Sequence, residues 1–112
     1  MDIIINDFRI DQFVKGANLF LRKIRSGEAA GDGFAQKITD LPFGRVLYLS
    51  VDICEYSQEE EQPFWQLRSY ESDEVVNDYF FEISASDLED LITFAEIEKA
   101  LRRVQEFYRK AA

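Results

Sequence analysis

Apolar residues recur first at helical spacing, then in strict alternation, then at helical spacing again. The opening run Ile3-Ile4-Ile5 is β-branched and reads as an edge or terminal strand. From Asp11, expected as an N-cap, Phe13, Val14, Ala17, Phe20, Leu21 and Ile24 form one stripe of a helix. Arg22, Lys23 and Arg25 crowd its last turn, where cations suit the macrodipole, and Gly27 can supply the left-handed stop. Residues 26–33 read as a mobile loop. Their glycines lack the order of a phosphate-binding loop, since no Gly-Lys-Ser/Thr follows. Phe34 to Ile38 reads as a short strand, ended by Asp40-Leu41-Pro42.

The alternation is cleanest from Val46 to Tyr56. There Leu47, Leu49, Val51 and Ile53 take one face of a strand and Tyr48, Ser50, Asp52 and Cys54 the other. A polar loop, residues 57–62, leads through Pro63 to a second strand, Phe64 to Tyr70. The connection Glu71-Ser72-Asp73-Glu74 leads to a third, Val75 to Ile83. Consecutive strands on short polar connections imply an antiparallel meander. Helical spacing then returns with Phe94, Ile97, Leu101, Val104 and Tyr108. Two capping-box patterns precede it, at Ser86–Glu89 and Thr93–Glu96, so the sequence fits either one continuous helix or two with a break near Thr93.

These patterns predict an α+β fold: an N-terminal helix, an antiparallel three- to four-stranded meander, and a C-terminal helix or helix pair. The helices pack on one sheet face, and residues 1–112 make a single domain. Hydrophobic residues make up 46% of the chain, which separates it from a disordered acidic tail.

Charge changes the picture more than composition does. Residues 46–98 hold fifteen carboxylates against one base, Arg68, whereas residues 99–112 carry five bases and one acid. The formal net charge is −9. Such a field repels nucleic acid and anionic membranes and attracts basic protein surfaces. The bases sit largely at helix C-termini or in i,i+4 pairs. The meander's acids have no such neighbour in sequence, which implies that another molecule supplies their cations.

Candidate chemistry is thin. The chain has no histidine, the commonest general base and metal ligand, and its one cysteine rules out a cysteine-rich zinc site. Cys54 lies between Asp52 and Glu55, which disfavour a thiolate, and a lone thiol fits a reducing, cytoplasmic setting. No Gly-x-Ser-x-Gly elbow or calcium-loop spacing occurs. No cofactor and no metal are expected.

A recognition surface is the better candidate. Strand parity turns Tyr48, Asp52 and Tyr56 away from the core, and Val76, Asp78, Phe80 and Glu82 with them. In the middle strand either Phe64, Gln66, Arg68 and Tyr70 or Trp65, Leu67 and Ser69 face out, and the former set is the more polar. With the connection acids, this gives a candidate partner-binding set: Tyr48, Asp52, Tyr56, Glu59, Glu60, Glu61, Arg68, Tyr70, Glu71, Asp73, Glu74, Asp78, Phe80 and Glu82. Aromatics anchor protein interfaces and carboxylates steer basic partners. The plainer reading is a solvated face whose aromatics pack across strands.

The leading expectation is therefore a non-enzymatic module that inhibits a nuclease or other effector by occupying its basic, nucleic-acid-binding surface. Small anti-restriction, anti-CRISPR, immunity and DNA-mimic proteins share its size and charge, but no motif links the chain to them. A homodimeric chaperone or adaptor, joined through the open sheet face or an edge strand, is the alternative. A small carboxylate-dependent enzyme is the third.

Overall fold

A computed structural model describes residues 3–5, 8–28, 33–54, 64–72, 82–85 and 91–110, with only the backbone at 54 and 82–85. Helix α1 (Ile10–Arg25) precedes strands β1 (Gly33–Asp40), β2 (Val46–Cys54), β3 (Phe64–Glu71) and β4 (Glu82–Ala85), which are followed by helix α2 (Phe94–Lys110). The strands form one sheet in the order β1-β2-β3-β4, and every neighbouring pair is antiparallel. The expected α+β meander is the observed fold.

Alternation along β2 decides which face is covered. Leu47, Leu49 and Val51 are fully buried, and the register sets Leu67 and Trp65 beside Val51 and Ile53 on the same side. Phe13, Ala17 and Leu21 of α1 join them in one cluster with Ile97, Ala100, Leu101 and Val104 of α2. Both helices thus lie on one face of the sheet. Removing apolar side chains from water supplies the main drive for this arrangement, at about 2 kcal/mol for each large one.

Helix ends show which local signals operate. Asp11 is not the N-cap of α1. Arg9 holds that place without a side-chain bond, and Asp11 sits in the first turn, where the dipole favours its charge. At the other end Gly27, at φ 82°, closes the helix. Its N–H donates to Ile24 O and that of Glu28 to Lys23 O, a Schellman pair. Helix α2 starts at the second of the two capping patterns. Thr93 N–H donates to Glu96 Oε1 at 2.9 Å, and Glu96 N–H returns a bond to Thr93 Oγ1 at 3.3 Å. Residues 91–93 are not helical, so a continuous helix across both patterns is excluded. The first pattern, Ser86–Glu89, lies outside the described residues. Asn18 ties α1 to the segment leading into α2: its side-chain amide donates to Ile92 O and accepts from Ile92 N–H.

Three expectations about strands change. Ile3-Ile4-Ile5 is not a strand; Ile3 and Ile5 pack against the core while Ile4 is exposed. Strand β1 is longer than Phe34–Ile38, because a bulge between Lys37 and Thr39 lets pairing with β2 continue to Asp40. The strand expected over Val75–Ile83 falls mostly outside the described residues, and β4 runs two residues past its expected end.

The β1–β2 connection is a tight turn. Leu41 N–H donates to Arg45 O at 2.8 Å. Between them Phe43 takes φ 64°, ψ 32°, a left-handed conformation that costs a non-glycine residue about 1 kcal/mol. Gly44 follows at φ 74°.

Candidate protein-binding surface

The sheet face turned away from the helices is organised in cross-strand rows. The register aligns Lys37, Tyr48 and Tyr70; then Ala35, Ser50, Arg68 and Glu82; then Gly33, Asp52, Gln66 and Ser84. Tyr48, Asp52, Arg68 and Tyr70 therefore share this face, as strand parity predicts, and Glu82 takes a register position on it opposite Arg68. Tyr56, Glu59, Glu60, Glu61, Asp73, Glu74, Asp78 and Phe80 lie outside the described residues.

Within the described part of this face the polar groups hold one another. The rings of Tyr48 and Tyr70 stack with centroids 5.2 Å apart and planes 20° from parallel. Arg68 Nε lies 2.6 Å from Asp52 Oδ2, and Ser50 Oγ donates to the same oxygen at 3.2 Å. Ser50 and Gln66, although on the outer face, are buried. Gly33 is required opposite Asp52, because a Cβ there would collide with the Asp52 carboxylate. Partial burial raises the Tyr70 phenol above its ordinary value, reinforced by the charge of Asp52 and by Tyr48, with Arg68 opposing. The phenol stays neutral and remains a hydrogen-bond donor at physiological pH.

Glu71 belongs elsewhere. It follows Tyr70 on β3 and so points to the helix-covered side, where Arg45 Nη1 meets its Oε2 at 2.8 Å and the Tyr108 hydroxyl donates to its Oε1. This triad fastens the end of α2 to β3 and to the turn after Phe43. Burial is the largest cause raising the Tyr108 phenol, followed by its hydrogen bond to Glu71 and that carboxylate's charge; Arg45 opposes them. Glu71 is a clamp within the fold and not part of the outer face.

The expectation that the meander's acids lack internal partners needs the same correction. Asp52 pairs with Arg68 and Glu71 with Arg45, while Glu98 pairs with Arg102 and Glu96 closes the cap of α2. Each acid of residues 46–98 whose side chain is described therefore has a partner. The described strands and their turns hold three bases, and Lys37, Arg45 and Arg68 are engaged by Asp40, Glu71 and Asp52.

Pairwise reading along the sequence missed the Arg45–Glu71–Tyr108 triad, since 37 residues separate Glu71 from Tyr108. It also missed the burial of Ser50 and Gln66 on the outer face. Among the described residues no three His, Cys, Asp or Glu side chains gather as a metal site, and no helix is long and apolar enough to cross a membrane. Comparison with known protein families, curated proteins and solved structures gives no match to this chain.

Proposed function

We propose that this chain is a non-enzymatic, protein-binding inhibitor whose acidic connections occupy a basic surface that otherwise binds nucleic acid. The observation that carries the reading is one of supply. The bases of the described sheet and its turns are already engaged by Asp40, Glu71 and Asp52, yet residues 46–98 hold thirteen carboxylates besides Glu71 and Asp52. We read the cations for Glu59, Glu60, Glu61, Asp73 and Glu74 as supplied chiefly by the solution or by a partner. Carboxylates on loops between rigid strands can stand in for phosphates, and the long-range field speeds encounter with a basic target. The stacked Tyr48 and Tyr70 offer an aromatic contact on the sheet face turned away from the helices. Action in a reducing compartment fits the single cysteine.

The test is capture of partners from the host extract at low salt, followed by competition. A captured basic protein should lose its bound nucleic acid as the acidic chain is added, with one displacing the other. A partner that keeps its nucleic acid, or that stays bound unchanged at about 0.5 M salt, where exposed charges are screened, removes the reading.

A further inference from the structure

Phe43 holds a left-handed backbone, φ 64° and ψ 32°, although it is not glycine. A non-glycine residue keeps such a conformation only where its surroundings over-determine it. The ring supplies little of that restraint, being 94% exposed. The restraint comes from the turn itself and from Arg45. Leu41 N–H donates to Arg45 O at 2.8 Å, and Arg45 Nε folds back to donate to Pro42 O at 3.4 Å.

Arg45 is held in turn from its far side. Its Nη1 meets Glu71 Oε2 at 2.8 Å, and the Tyr108 hydroxyl donates to Glu71 Oε1. One planar guanidinium therefore spans the Pro42 carbonyl and the Glu71 carboxylate, a fork that a lysine ammonium cannot reproduce. Tyr108 is 5% exposed, and the Glu71 side chain is 16% exposed, so the chain of bonds is poorly reached by competing water. The base of the turn is fixed as well: Val46 N–H donates to Ser72 Oγ at 2.9 Å and Ser72 N–H to Val46 O at 2.8 Å. Tyr108 sits in the last turn of α2, and helix ends are where a fold opens most readily.

We propose that Tyr108, Glu71 and Arg45 form a latch, so that the last turn of α2 and the Phe43 turn open and close as one unit. With α2 docked, Glu71 is bonded on both oxygens, Arg45 is aligned, and Phe43 is kept left-handed with its ring in solvent. When the end of α2 frays, Glu71 loses the phenol, Arg45 loses its alignment, and Phe43 relaxes out of the left-handed region. The latch uses none of the carboxylates that the inhibitor reading assigns to a partner, and it holds or fails without that reading.

Amide hydrogen exchange on the full chain, read residue by residue by NMR at neutral pH, tests the latch. The Leu41 amide reports the turn, the Tyr108 and Arg109 amides report the end of α2, and the Leu49 amide in the central strand pairing reports global opening. Tyr108→Phe keeps the ring and removes only the hydroxyl, while Arg45→Lys keeps the charge and removes the fork. Each should speed exchange at Leu41 and at the end of α2 by about threefold or more, because coupling between two sites is reciprocal. Leu49 should not change. In the double variant Leu41 should exchange no faster than in the faster single one, since either change alone undoes the same latch. Phe43→Gly removes the conformational penalty, so the effect of Tyr108→Phe on Leu41 should shrink in that background. A Leu41 amide that ignores Tyr108→Phe, factors that multiply in the double variant, or a Leu49 amide accelerated by the same factor would each overturn the proposal.

Discussion

The two faces of the sheet bury their side chains by different means. Toward the helices, Leu47, Leu49, Val51, Trp65 and Leu67 are removed from water by neighbours supplied from α1 and α2. On the outer face, Tyr48 leans on Tyr70, and Asp52 is held by Arg68 and Ser50, with no described helix above them. The first face derives its stability from area, the second from pairing. The difference teaches that an outward-facing carboxylate is not thereby available to a partner: Asp52 already has its cation, and the acids of the connections carry the functional argument.

Substitutions can break this contrast at graded strength. Leu49→Ala should cost about 3 kcal/mol, since its site is fully enclosed, measured as a drop in the denaturant midpoint. Glu71→Ala removes the acceptor of both Arg45 and Tyr108 and should cost about 2 kcal/mol, which would mark it as structural rather than partner-facing. The same triad has a pH signature. Because the Tyr108 phenol is raised above its ordinary value near 10, its contribution is complete below that value and lost as pH climbs through it. Thermal midpoints should fall more steeply above pH 10 in the parent than in Tyr108→Phe, with Tyr70 providing the residual slope.

On the outer face the effects shrink. A double-mutant cycle on Asp52→Asn and Arg68→Ala should give a coupling of about 1 kcal/mol that weakens with salt, because both side chains keep some solvent contact. The Tyr48–Tyr70 stack should couple by about 0.5 kcal/mol. Couplings near zero on both pairs would mean that the outer face is held in place by something other than its cross-strand contacts.

Much of the fold was legible because period and capping are local. Leu47, Leu49 and Val51 declare a half-covered strand, and the Phe13–Ala17–Leu21 spacing declares a helix face, without reference to the rest of the chain. Two close capping patterns left the start of α2 open until the reciprocal bonds of Thr93 and Glu96 decided it. Ile3-Ile4-Ile5 misled because β propensity describes fit to a sheet surface, and these residues pack on the core without a strand partner. The candidate surface was legible only as parity. That rule brought Tyr48, Asp52, Arg68 and Tyr70 together, but it could not reveal that Arg68 would neutralise Asp52. Nor could it place Glu71 against Tyr108 from a helix beginning more than twenty residues later. Phe43 carried only the turn signal of its Pro and Gly neighbours; its exposure depends on the sheet around it.

The account rests on the connection acids, not the paired ones, engaging a partner's cations. Association rates with a captured partner, measured from about 0.05 to 0.5 M salt, test this directly, since steering fades as the Debye length shrinks. The chain carrying Glu59→Lys, Glu60→Lys and Glu61→Lys should associate at least tenfold more slowly than the parent at low salt and converge with it at high salt, while Asp52→Asn follows the parent throughout. Equal rates for the parent and the triple variant across the series would contradict the account.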